Sequence, residues 1–317
     1  MEATGTMRTP AVSVVVATYN RADVLRFTIE AAIRSSFSDW EMIVVGDACT
    51  DHTAAIVASF KDPRISFVNL PVNAGEQSVP NNEGVRRARG RYVAFLNHDD
   101  LWATDHLQIA LEAIEREAAD FVSTLTICIS ATGEPSLAGS CAPQEYAPYA
   151  FVPASSWLVR RDCFEVVGPW RRAQSQYMFP SQEWLLRARR RGLKLLSVRR
   201  ATVLAILSGD RRNSYVTDQS AEQERWARRL RDDPGLFEEL LTDISARQAD
   251  EQGRPAVWPH LRRAARKAVV KVAFAVGGHP TALRNAVLYW RRGGSIDSLR
   301  RTRGLPPLER LGGRDDR

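Results

Sequence analysis

Short apolar runs recur through the first hundred residues, at 12–17, 42–45, 65–70 and 92–96, and each stops at a polar turn. Between them lie segments of helical period. Residues 22–35, for example, carry apolar side chains at 24, 25, 29, 32 and 33. Further helical segments are predicted over 51–60, 78–88 and 106–117, and a further strand over 121–129. Continuous apolar strands suit a sheet covered on both faces, and strand–helix alternation of this length builds parallel βαβ units. The expected fold is therefore α/β: a doubly wound, mostly parallel sheet flanked by helices. Its polar turns then share one edge of the sheet, where open α/β sheets bind ligands. Asp47 and Asp99, far apart in sequence, are predicted to converge there. No G-x-G-x-x-G or G-x-x-x-x-G-K-[ST] loop is present, which disfavours a dinucleotide or P-loop site.

The fourth run ends in Asn97-His98-Asp99-Asp100. Oxygen ligands at such a strand end suit a hard divalent cation. The competing reading is a solvated loop in which Asp99 or Asp100 caps the next helix.

Apolar residues make up 44% of the chain and charged residues 26%, enough for a sizeable core. The four cysteines form no CxxC pair, so neither a zinc knuckle nor a disulfide framework is indicated, and a reducing, cytoplasmic setting is expected. Residues 1–10 do not read as a signal peptide, and no stretch approaches the roughly 18 apolar residues of a membrane span. The charge is uneven. Residues 254–317 hold fifteen basic and four acidic side chains, while the whole chain nets +7, which leaves the remainder slightly acidic. A basic tail on an acidic body argues against a nucleic-acid-binding core and for an anionic partner of the tail.

Five motifs, taken in order, resemble family 2 glycosyltransferases of the GT-A fold. They are VVVATYNR at 14–21, VGDACTDHT at 45–53, NAG at 73–75, NEG at 82–84 and ARGRYVAFLNHDDLW at 88–102. The resemblance implies a nucleotide-diphosphate sugar donor, Mg²⁺ or Mn²⁺, and inversion at the anomeric carbon. It also implies a metal-dependent, hexosyltransferase-like activity. Thr18, Tyr19, Asn20, Arg21, Asp47, Asn97, His98 and Asp99 become the implied donor-binding residues. Asp99, with Asn97 or Asp100, becomes the implied metal set. Two departures stand out: Gly46 replaces the first of the family's two acids after its second strand, and Asn97 replaces the first acid of its D-x-D.

Past residue 130 the resemblance thins. Residues 155–168 (SSWLVRRDCFEVVG) resemble the strand and helix before the family's acceptor site. Residues 181–192 (SQEWLLRARRRG) resemble its E-D-W-D helix, which makes Glu183 the implied catalytic base, with a helix-capping role as the alternative and Asp162, Glu165 and Asp210 as weaker candidates. Gly192 reads as the residue after that helix. A charged helical stretch over 220–247 is broken at Asp233-Pro234-Gly235. Residues 261–276 and 282–290 are amphipathic, with arginines beside Tyr289 and Trp290. These suit an anionic membrane surface at the inner face of the membrane, or packing on the body with a solvated basic face.

The expected organisation is a GT-A domain over 1–215, with a nucleotide-sugar half at 11–130 and an acceptor half at 150–210. A helical extension follows at 216–250, then a basic amphipathic tail at 260–317. The expected function is transfer of a sugar, UDP-sugars preferred, to an acceptor hydroxyl in surface polysaccharide or glycoconjugate synthesis. The alternatives are a non-catalytic nucleotide-sugar-binding protein and a membrane-surface interaction protein.

Overall fold

The computed structural model describes residues 9–139, 146, 151–175, 179–252 and 294–308. The amphipathic stretches expected over 261–290 lie outside the described residues.

The first half follows the sequence pattern closely. Strands β1 (Val12–Thr18), β2 (Trp40–Gly46), β3 (Ile65–Asn69) and β4 (Tyr92–Phe95) alternate with helices α1 (Ala22–Ile33), α2 (Thr53–Ser59) and α3 (Ser78–Arg87). β1 pairs in parallel with β2 and β4, and β2 with β3. β2 is buried along its whole length, so each apolar side chain it withdraws from water contributes roughly 1.5–3 kcal/mol. Ser13 interrupts the apolar run of β1 for a reason. Its buried hydroxyl donates to Glu41 at 2.7 Å and accepts from the Gly90 amide at 2.8 Å, fastening the turn that leads into β4.

Beyond β4 the sheet becomes mixed. β5 (Asp100–Trp102), α4 (His106–Arg116), β6 (Phe121–Ile129), β7 (Pro135–Ala138), β8 (Trp157–Arg160), α5 (Cys163–Val167), α6 (Pro180–Arg190) and β9 (Leu195–Ile206) follow. The sheet order is β3-β2-β1-β4-β8-β6-β9-β5, with β7 on β6. β8 enters antiparallel between β4 and β6, whereas β6 and β9 run parallel. Against this part of the sheet packs an aromatic cluster of Phe95, Phe121, Trp157, Trp170 and Trp184. Phe95 meets Trp170 at 4.8 Å between centroids, and Phe121 meets Trp157 edge-on at 5.3 Å. α6 ends at Gly192, whose φ of +79° is the left-handed conformation a glycine adopts without strain.

Helices α7 (Ser220–Asp232) and α8 (Leu236–Gln252) are separated where Asp233-Pro234-Gly235 predicts a break. Trp226, Leu236, Leu240 and Ile244 share a core with Phe27, Leu101 and Leu204. A last described helix, α9 (Gly294–Arg303), was not anticipated by any sequence pattern. It returns to the carboxyl edge of the sheet, where its end is tied to the 213–215 segment. The amides of Asn213 and Tyr215 donate to the carbonyls of Thr302 and Arg303, at 2.6 and 3.0 Å.

Candidate active site

The ends of β1, β2 and β4 open on a cleft of about 400 Å³, lined among others by Thr18, Tyr19, Asp47, Asn97, Asp99 and Asp210. Asp47 and Asp99 thus share one cavity, as the strand order requires.

Asp47 leaves β2 on a tight turn. Asn69 clamps that turn from below, its amide accepting from Cys49 N–H and donating to Cys49 C=O, both at 2.8 Å. This explains Gly46: a Cβ there would stand 2.5 Å from Asn69 Oδ1, so an acid at this position has no room. Asp47 is buried, and its carboxylate accepts from the amides of Ala74 and Gly75 at 2.7 and 2.9 Å. Burial pushes its pKa up, against these two amides and the Arg300 guanidinium. Each oxygen keeps a second lone pair for a ligand N–H.

Thr18 and Tyr19 line the cleft, and the buried Thr18 hydroxyl has no hydrogen-bond partner among the described residues. Asn20 and Arg21 stand behind the wall. Asn20, at φ +47°, braces the next turn by accepting from the Thr50 amide at 2.8 Å. Arg21 donates to the Ser214 carbonyl and lies 5.0 Å from the centroid of the Tyr215 ring.

The Asn97–Asp100 segment is held by residues distant in sequence. Ser155 accepts from the Asn97 amide at 2.9 Å and donates through its hydroxyl to Asp100. The Asn97 side-chain amide donates to the same Asp100 oxygen at 2.8 Å. Burial, then the charge of Asp99, pushes the Asp100 carboxyl up to about 7. His98 is buried, with Nδ1 3.1 Å from the Ala17 carbonyl and Nε2 3.1 Å from the Tyr215 hydroxyl. Burial lowers its pKa and favours the neutral ring, with Nδ1–H donating and Nε2 accepting. Burial works to raise the pKa of Asp99, yet the net shift is downward, with the Arg303 and Arg21 guanidiniums and the Ser208 hydroxyl among the groups that lower it.

A divalent ion would find one open carboxylate here, Asp99, and the amide oxygen of Asn97. Among the described residues no three His, Cys, Asp or Glu side chains converge as a metal cage. Mg²⁺ commonly takes one or two carboxylates and completes its shell with water and substrate phosphates. The residues therefore fit an ion shared with a phosphorylated ligand.

Glu183 sits two residues beyond Ser181, which lines the cleft. Both its oxygens accept from Arg187 Nε, at 2.8 and 2.9 Å, and Arg171 approaches at 3.3 Å. Arg187 in turn donates to the carbonyls of Val167 and Pro169. Glu183 is buried in this network on the first turn of α6 and is not among the residues lining the cleft. Of the alternatives, Asp162 pairs with Arg160 at the surface, whereas Asp210 is exposed on the cleft wall.

Sequence reasoning missed Tyr215, Arg300 and Arg303, which also line the cleft. The basic excess of the tail was visible, but no local pattern shows which arginines return to the site.

Residues 13–168 match glycosyl transferase family 2. TuaG of Bacillus subtilis, named for teichuronic acid biosynthesis, is 38% identical over 128 residues, 40% of this chain and 50% of its own length. ExoO of Rhizobium meliloti, a succinoglycan biosynthesis protein, is 37% identical over 35% of this chain and 32% of its own. WfaP of Escherichia coli is a UDP-Glc:alpha-D-GlcNAc-diphosphoundecaprenol beta-1,3-glucosyltransferase, 33% identical over 35% of this chain and 43% of its own. The chain thus spans half or less of the length of these curated relatives. Among solved structures, TarS 1–349 of S. aureus in complex with UDP-GlcNAc superposes with a TM-score of 0.57 at 17% identity, covering 92% of this chain and 90% of that one. The mannosyltransferase PcManGT of Pyrobaculum calidifontis, in complex with GDP-Man and Mn²⁺, gives 0.53 at 16% identity, covering 89% and 87%. At these identities the likeness is one of fold, and the fold is GT-A.

Proposed function

The chain belongs, over residues 13–168, to glycosyl transferase family 2, and from that premise we propose that it moves a sugar from a nucleoside-diphosphate donor to an acceptor hydroxyl with inversion. UDP-sugars are the preferred donors, and the product belongs to surface polysaccharide or glycoconjugate synthesis. The observation that carries this reading is the convergence of Asp47, Asp99 and the partnerless Thr18 hydroxyl on one cleft at the carboxyl edge of the sheet.

In that cleft Asp47 accepts a hydrogen bond from the ring N–H of uracil, while Thr18 and Tyr19 line the base and ribose pocket. Asp99 and Asn97 would hold Mg²⁺ or Mn²⁺ together with the donor's diphosphate. Such an ion supplies Lewis-acid neutralisation of the leaving group. Inversion requires attack in line from the face opposite the diphosphate, and a carboxylate there to take the acceptor's proton. A positioned carboxylate typically contributes about 10²–10⁴ in rate. Glu183 is the candidate by resemblance and Asp210 by its place on the cleft wall.

The basic excess of residues 254–317 supports contact with an anionic membrane surface, at roughly 1 kcal/mol per well-placed cation. Among the described residues no helix is long and apolar enough to cross a membrane.

The test is turnover. The full chain, incubated with UDP-glucose or UDP-GlcNAc and Mn²⁺, is expected to release UDP slowly, with water as acceptor, and Asp99→Ala is expected to stop it. Nucleotide binding without any release, across a panel of UDP-sugars and acceptors, would instead establish a non-catalytic binding protein.

A further inference from the structure

We propose that α9 is part of the donor site, with Arg300 and Arg303 forming a cationic cradle for the diphosphate that lets the chain hold a nucleoside diphosphate without a divalent ion. This rests on reading the cleft as a nucleotide-sugar site and adds to it a binding element outside the matched segment 13–168.

Three observations carry it. The first is placement. Arg300 and Arg303 are three residues apart, hence on one helix face, and both line the cleft. Arg300 sits at the Asp47 end, donating to the Gly75 carbonyl and, through Nε, to the Pro306 carbonyl at 2.7 Å. Arg303 sits at the Asp99 end, donating to the Ser208 hydroxyl at 2.9 Å and lying 5.4 Å from the Tyr215 ring centroid. The two cations thus span the interval from the base-reading acid to the metal-binding acid, which is where a diphosphate lies.

The second is unspent hydrogen-bonding capacity. Arg303 Nε and the Thr18 hydroxyl, both on residues that line the cleft, are buried and have no partner among the described residues. Thr18 is 2% exposed, so water does not readily satisfy its hydroxyl. Native proteins rarely leave such groups unpaired, and guanidinium N–H groups match phosphate oxygens in geometry and charge. Arg21 and Arg303 both approach Tyr215, whose hydroxyl meets His98, so the cationic shell is fixed by packing.

The third is charge. A diphosphate entering a cleft that presents Asp47 and Asp99 is repelled unless cations accompany it. Asn97 stands where the family pattern has the first acid of its D-x-D, so a metal finds weaker purchase here, while the helix brings two fixed positive charges. The fit is close: a Cβ at Gly209 would stand 2.5 Å from Leu299 of α9, and one at Gly75 would stand 2.5 Å from Leu308 just beyond it.

The test is calorimetric titration of the full chain with UDP and with uridine, in EDTA and in Mg²⁺. Wild type is expected to bind UDP in EDTA, and more tightly than uridine. Arg300→Gln and Arg303→Gln are each expected to weaken UDP in EDTA about 10- to 100-fold while leaving uridine unchanged, because the lost partners are charge-assisted phosphate contacts. Arg303→Lys should recover part of the loss. If the arginines only anchor the helix, the Gln variants will weaken UDP and uridine together, or neither, and the proposal falls. It also falls if wild type binds UDP in Mg²⁺ and loses it in EDTA, in which case the nucleotide-sugar reading stands alone. Wild type that binds neither ligand in either buffer would overturn both.

Discussion

Glu183→Gln separates an anchor from a catalytic base. The side chains of Glu183 and Arg187 are 11% and 15% exposed, and the carboxylate takes both its short hydrogen bonds from Arg187 Nε. Removing one member of a buried pair outright costs about 3–5 kcal/mol, and a hydrogen bond to a charged group contributes about 1.5–3 kcal/mol. Gln keeps one acceptor oxygen, and Arg187 keeps the carbonyls of Val167 and Pro169. The cost should therefore sit near 2 kcal/mol, which lowers Tm by roughly 3 °C in a chain of this size. Thermal melts by circular dichroism read the first quantity. UDP release per folded molecule reads the second, and it should stay within about threefold of wild type if the carboxylate only anchors α6. Asp210→Asn should behave oppositely, with Tm unchanged and turnover down by at least ~10². Glu183→Gln that keeps its Tm and loses turnover by that factor would refute the argument from geometry and return the base to Glu183.

Three further perturbations follow from the site and its surroundings. Asp99→Asn is expected to abolish metal-dependent transfer yet leave the far-UV spectrum intact, since the contact that ties this residue to α7 uses its backbone carbonyl, 2.9 Å from Gln223 Nε2; normal turnover would remove Asp99 from the site. Asp47→Asn should weaken UDP by about 1–3 kcal/mol and loosen the 74–75 turn, read by titration and by proteolysis there; unchanged affinity would end the base-reading assignment. His106 is buried with its pKa driven down to about 3, so the folded state stays neutral where the unfolded chain is protonated below about 6.5. Stability should accordingly fall with pH through that window, by about 2 kcal/mol at pH 5, and His106→Leu should flatten this part of a denaturation series; an equally steep slope in the variant would refute it.

How much of this was legible in the sequence depended on whether the information was local. β1, β2 and β4 are buried on both faces, so their apolar runs stand out, and the strand order alone brings Asp47 and Asp99 together. Asp233-Pro234-Gly235 and Gly192 act through their own backbone, and both breaks fall where they were expected. β8 is different: a four-residue run such as Trp157–Arg160 looks the same whether it enters a sheet parallel or antiparallel, and only the path of the chain decides. Glu183 was nominated by position in a motif, and that motif does not report its pairing with Arg187 one helical turn away. Tyr215, Arg300 and Arg303 reach the cleft by tertiary return across roughly two hundred residues from β1 and β2, which no period or spacing reports. Gly46 became intelligible only once Asn69 was seen to fill the space its side chain would need.

The fold does not choose the base, since neighbours of the same architecture were solved with uridine and guanosine nucleotides. Titration of UDP and GDP into the full chain with Mn²⁺ therefore bears most directly on the central claim. Saturable UDP binding at one site, at least about tenfold tighter than GDP and weakened by Asp47→Asn, is the predicted result. Tighter GDP binding, or no binding of either nucleotide, would contradict the account.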